Sequence, residues 1–211
     1  MRSLPLTLVL LATGALETSA QQSRIREMGN ALERAAEARA ISRATDKYDE
    51  TFRKYSKRYF GAAFDWKVFK AQAMAESNLN PAATSHVGAR GLMQLMPSTY
   101  QMIQSRRPEL GDINDPEWNI AAGIHHDRYL WRLWSKQVGE PERGYFMFGS
   151  YNAGEGTITR ATNVARERNL DHAVWSSIET IAPEVQRWRY VETLGYVRKI
   201  DRFYELLRTS R

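Results

Sequence analysis

Apolar residues in this chain recur at helical intervals, and prolines and glycines cut that pattern into short lengths that must pack on one another to bury their apolar faces. Helical spacing from Trp66 to Glu76 is stopped by Asn80-Pro81, because proline lacks an amide donor and disfavours helix in the residue before it. Pro97-Ser98-Thr99 opens another helix, and Asp115-Pro116 repeats the signal with Asp115 as the N-cap. Ile120, Ile124, Leu130, Leu133 and Trp134 then supply an apolar face as far as Ser135. A helical stretch is also predicted over Tyr48 to Tyr59. Gly149 to Gly156 reads as a turn leading into a helix, and a last long helix is predicted over Glu184 to Leu207. No run alternates at the period of a strand and no segment repeats. The predicted class is all-α, one domain built around one cleft.

The 211 residues suffice for a single compact domain with a hydrophobic core, and six Trp and ten Tyr leave aromatic rings to spare for a groove. Residues 1–20 carry Arg2, an apolar run from Leu4 to Ala15 and the small residues Thr18, Ser19 and Ala20, the pattern of a cleaved secretory signal. The apolar run is shorter than the ~20 residues that span a bilayer, so no stable transmembrane anchor is expected after cleavage. The chain has no cysteine, which excludes disulfides, thiolate metal ligands and lipidation at a cysteine. Export without disulfides points to a bacterial periplasm or exterior. Residues 21–46 form an amphipathic helix and linker, with Ile25, Met28, Leu32 and Ala35 in a short stripe that Arg39 ends; residues 47–211 form the main domain.

Within that domain, four blocks occur in order: Glu76-Ser77 with Asn80-Pro81; Gly88-Ala89 with Gly91-Leu92-Met93-Gln94; Ser150-Tyr151-Asn152-Ala153-Gly154; and Glu192-Thr193 with Tyr196-Val197. Together they resemble the soluble lytic transglycosylase domain family, the bacterial relatives of goose-type lysozyme, over Asp46 to Leu207. The resemblance implies a lysozyme-like fold with a central substrate cleft, and peptidoglycan glycan strands as the substrate. It also implies that Glu76 protonates the oxygen between N-acetylmuramic acid and N-acetylglucosamine and then deprotonates the muramyl C6 hydroxyl, leaving 1,6-anhydro ends. Most glycosidases divide these tasks between two carboxylates. The residues support the acid role independently. A carboxyl near a helix C-terminus faces the negative end of the dipole, and apolar neighbours such as Met74 desolvate it, both of which raise its pKa.

By the same resemblance Ser85, Gln94, Met96, Tyr151, Asn152, Glu192 and Tyr196 line the substrate cleft. Each has a plainer alternative: Met96 as core, Tyr151 and Asn152 as a turn before a helix, and Glu192 with Tyr196 as an exposed pair one helical turn apart. The chain departs from the family pattern at His125, His126, Asp127 and Arg128, and in carrying Ser150 and Glu155 where relatives have Ala and Pro. Adjacent histidines diverge on a helix and no His partner stands at i+4, so no metal site is expected, and no cofactor.

Two other functions remain to be weighed. A hydrolytic muramidase of the same fold would use Asp127, Glu155 or Glu192 to hold water, and a non-catalytic wall-binding component of an envelope assembly would not cut at all. A secretion, conjugation or other envelope machine is a further partner compatible with a small domain of this kind. The formal charge of +6 attracts polyanions in general, peptidoglycan carboxylates included, and no nucleic-acid motif accompanies it.

Overall fold

A computed structural model describes residues 21–29, 31–32 and 46–209. The predicted signal, residues 1–20, and the part of the N-terminal segment that holds Ala35 and Arg39 lie outside them. Residues 21–29 and 31–32 are helical and exposed on every side, Ile25, Met28 and Leu32 included.

The domain proper follows as α1 (Asp49–Phe60), α2 (Lys67–Ser77), α3 (Pro97–Arg106), α4 (Pro116–Trp134), α5 (Arg143–Ala153), α6 (Glu155–Glu167), α7 (Trp175–Ile181) and α8 (Tyr190–Thr209). Short 3₁₀ turns precede α1 and follow α7. Among the described residues there is no strand, only two isolated bridges, Thr84 to Arg90 and Arg90 to Leu95, within one loop. The all-α expectation holds.

α2 is the central helix. Every residue from Phe69 to Ala75 is buried, polar ones included, because α8 covers one side and α1 another. Lys70 survives there by donating to Asp49 Oδ1 at 2.6 Å. Removing a buried ring such as Phe69 by mutation to alanine typically costs about 3–5 kcal/mol. The helix ends where Asn78 and Leu79 both adopt left-handed backbone, φ 52° and 58°. That turn, not Asn80-Pro81, terminates it, two residues earlier than proline alone requires. Asn is among the side chains that tolerate this conformation best, so Asn78 is the chemical reason for the stop.

α4 starts as predicted. The Asp115 carboxylate accepts from the amides of Glu117 at 2.8 Å and Trp118 at 3.2 Å, with Pro116 at the first helical position. Two expectations are corrected. Gly149 is inside α5, not in a turn, because the Trp175 indole packs so closely that any Cβ there would clash; Gly154, at φ 83°, alone separates α5 from α6. The last helix begins at Tyr190, not Glu184, since a 3₁₀ turn and the left-handed Arg187 (φ 58°) intervene.

Candidate active site

Glu76 is the penultimate residue of α2, so the central helix delivers its carboxyl to the edge of the core. The side chain is half-buried, with packed protein on most sides. Its pKa is pushed up from 4.5 to about 7, chiefly by loss of hydration; Tyr196 and Lys199 pull it down and the exposed Glu192 carboxylate pushes it up. The buried Tyr196 hydroxyl reaches no partner at full hydrogen-bond geometry, yet its dipole is close enough to favour the carboxylate. Lys199 Nζ donates to Ala75 O at 2.7 Å and thereby caps the carbonyl end of α2. The negative helix end invoked from the sequence is thus largely offset by an ammonium group, leaving desolvation to carry the shift.

A loop from Asn78 to Met96 forms the floor beside Glu76. Ser77 Oγ donates to Leu92 O at 2.8 Å and ties the end of α2 to it. Buried Asn119 organises its far side: Oδ1 accepts from the Met93 amide at 2.8 Å and Nδ2 donates to Arg90 O at 3.0 Å, while Nδ2 also donates to Ile113 O at 2.9 Å in the segment before α4. Gly91 is required twice over, by its φ of 77° and by Asn119 lying where a Cβ would stand.

The seven predicted cleft residues fall into distinct settings. Ser85 Oγ accepts from the Ala89 amide at 3.0 Å, and Gln94, at φ 44°, donates from Nε2 to Gly91 O at 2.9 Å and Ala83 O at 3.2 Å. Both brace the loop. Met96 is exposed at the start of α3, which removes the core alternative. The Tyr151 hydroxyl donates to Met93 O at 2.7 Å, joining α5 to the loop, and burial pushes its pKa up, with Asp127 and Glu76 adding to the rise. Asn152 and Glu192 line a groove of about 260 Å³ with Trp188 and Thr193; Glu76 is not among its walls. Glu192 is exposed and ion-paired to Arg189 at 3.2 Å. Tyr196, one turn further along α8, is the member of that pair that faces Glu76.

The departures at 125–128 lie within the unbroken helix α4. His125 packs edge-on against Tyr59, while His126 stacks on Tyr129 and tilts against Tyr151. Burial pushes the His126 pKa down to about 4, so it is neutral at pH 7. Ser150 accepts from the Trp134 indole N–H at 2.9 Å, and Glu155 accepts from the Tyr129 hydroxyl at 3.0 Å. Both substitutions are therefore explained by a local partner. Sequence reasoning missed Asn119 and Lys199. Nothing local marks either, since the loop groups that Asn119 holds and the helix end that Lys199 caps lie 26 or more residues away. No cluster of His, Asp or Glu among the described residues could hold a metal.

These are the features that acid–base chemistry requires: one carboxyl with a near-neutral pKa, at the end of a buried helix, beside a braced loop. The chain belongs to the transglycosylase SLT domain family, whose sequence model matches residues 50–174. It is 30% identical over 184 residues to the membrane-bound lytic murein transglycosylase F of Vibrio cholerae, covering 80% of this chain and 33% of that protein, and 30% identical over 182 residues to the protein of the same name from Shewanella pealeana. The chain thus spans about a third of the length of the curated relatives it matches. Among solved structures, the 70 kDa soluble lytic transglycosylase of Escherichia coli superposes with a TM-score of 0.55 at 24% identity over 76% of this chain and 24% of that one. A lytic transglycosylase from Pseudomonas aeruginosa gives 0.60 at 20% identity over 75% and 23%. The lysozyme-like all-α fold is common to all three.

Proposed function

We propose that this chain is a peptidoglycan lytic transglycosylase in which Glu76 serves first as acid and then as base. The observation that carries this is the Glu76 carboxyl with a pKa of about 7, which is populated in both protonation states near neutrality. In the first step its proton passes to the glycosidic oxygen as the bond from that oxygen to muramyl C1 breaks. The muramyl C6 hydroxyl then bonds to C1, and the Glu76 carboxylate takes the proton released from that hydroxyl. The enzyme ends the cycle protonated, no water is consumed, and the product carries a 1,6-anhydro ring. The substrate's acetamido group can shield the electron-poor C1, one of the recognised exceptions to two-carboxylate catalysis.

The hydrolytic alternative is less well supported. Asp127 is sealed in the core, Glu155 is engaged by Tyr129, and Glu192 pairs with Arg189 at the exposed rim. We further propose export to the periplasm or beyond through cleavage after Ala20, with an envelope assembly as the docking partner of the N-terminal segment. Digestion of purified glycan strands followed by mass spectrometry tests the reaction. Anhydro-muramyl ends are expected, and Glu76→Gln should abolish them while binding to wall sacculi persists. Reducing muramyl ends from the unaltered protein would instead establish a muramidase.

A further inference from the structure

The reaction above uses one carboxyl group, yet a second lies within electrostatic reach of it. Asp127, in the middle of α4, is fully buried, as is Gln72, which stands on α2 one turn before Glu76. Gln72 Nε2 donates to Asp127 Oδ1 at 3.2 Å. The two remaining polar atoms of this pair, Asp127 Oδ2 and Gln72 Oε1, are buried and have no partner. A carboxylate oxygen and an amide oxygen only accept, so an ionised Asp127 leaves two stranded acceptors in the core. One proton on Oδ2 removes both deficits, because a planar acid facing a planar amide can close a ring of two hydrogen bonds, O–H to Oε1 and N–H to Oδ1. The groups that face Asp127 are Gln72 and Glu76 on α2, Tyr151 on α5 and Tyr196 on α8. None of them is a cation that could take the proton's place.

We propose that Asp127 is a permanently neutral carboxylic acid, paired with Gln72, that acts as a positioning residue for Glu76. The pair fixes the buried face of α2 from which Glu76 projects, and it keeps a second negative charge away from the reacting carboxyl. This rests on Glu76 being the acid. A neutral neighbour matters for the second half of the reaction, since an anion beside Glu76 would oppose its ionisation. Burial favours the same state, pushing the Asp127 carboxyl well above its ordinary range, with the charge of Glu76 adding to the rise and Gln72 opposing it.

Two substitutions separate the outcomes. Asp127→Leu strands the Gln72 amide and should lower kcat at least tenfold with KM little changed. Asp127→Asn restores both hydrogen bonds without a proton, its Nδ2 donating to Gln72 Oε1, and should rescue kcat with an alkaline limb that overlays the original. Unfolding midpoints of the original chain and the Asn variant, measured from pH 4 to 8, supply a readout independent of activity. The native state keeps a proton that the unfolded chain loses above about pH 4, so the original chain should fall progressively behind the variant as pH rises. A gap that does not change with pH would mean that Asp127 is ionised in the fold, which overturns its neutrality. A folded Asn variant with kcat more than a hundredfold down, or a Leu variant with full kcat, overturns the positioning role. Should Glu76→Gln prove active, the acid has been wrongly assigned, but the pH-dependent gap would still stand.

Discussion

At the scale of single residues, Glu76 is held between burial, which keeps its proton on, and Lys199 with Tyr196, which draw it off. Its folded pKa is raised, so the stability linked to it is fully present below its unfolded value of 4.5 and is lost as pH rises through about 7. The cost of holding it as a carboxylate is on the order of 3 kcal/mol from the size of the shift. Glu76→Gln removes that cost and should therefore raise the unfolding free energy at pH 8 by about 1–3 kcal/mol while removing activity, with little change at pH 4; urea unfolding at the two pH values checks it. Since the acid form starts the reaction, kcat/KM of the original chain should fall tenfold per pH unit above about 7. Lys199→Met takes away a nearby positive charge and should move that alkaline limb upward, as a pH–rate profile would reveal. The same change uncaps Ala75 O and should cost about 1 kcal/mol of stability.

Among the elements, the loop from Asn78 to Met96 is the one the proposed reaction needs beside Glu76, and Asn119 fastens it to α4. Asn119→Ala leaves the Met93 amide and two backbone carbonyls without that partner and should cost about 2–4 kcal/mol, with a raised KM for glycan strands as the loop loosens. Denaturant unfolding and steady-state kinetics would measure the two effects. Asn119 was not legible in the sequence, where it reads as one polar residue near a helix start. Helix beginnings were legible wherever the cap is local: Asp115 and Pro116 announce α4 because the amides that the carboxylate satisfies lie two and three residues away. The order of Glu76, the glycine-rich loop and Tyr151 was also legible, being carried by short runs of sequence. The Gly149 turn was misread because the reason for glycine there is Trp175, which approaches from another helix. The Lys199 cap on α2 was invisible for the same reason.

For the molecule as a whole, the issue is which part of the chain makes the stable unit. The core runs from Tyr48 to Leu207, and α2 at its centre is closed in by α8 from the far end of the chain. That pairing of distant segments makes the domain indivisible: Lys67 near the start of α2 donates to Leu207 O at 2.8 Å, and Tyr204 donates to Asp65 at 3.0 Å. Residues 21–29 and 31–32, by contrast, keep every side chain exposed and bury nothing against the core. Burial supplies folding free energy at roughly 25 cal/mol per Å² of apolar surface, so a segment that buries none contributes almost none. A chain beginning at Glu33 should therefore unfold within about 2 °C of one beginning at Gln21 in a thermal scan, whereas one ending before α8 should not fold. A much larger drop in Tm on removing residues 21–32 would mean that this segment packs on the domain. If the shortened chain also cuts isolated glycan strands at the original rate, what the N-terminal segment contributes lies outside catalysis.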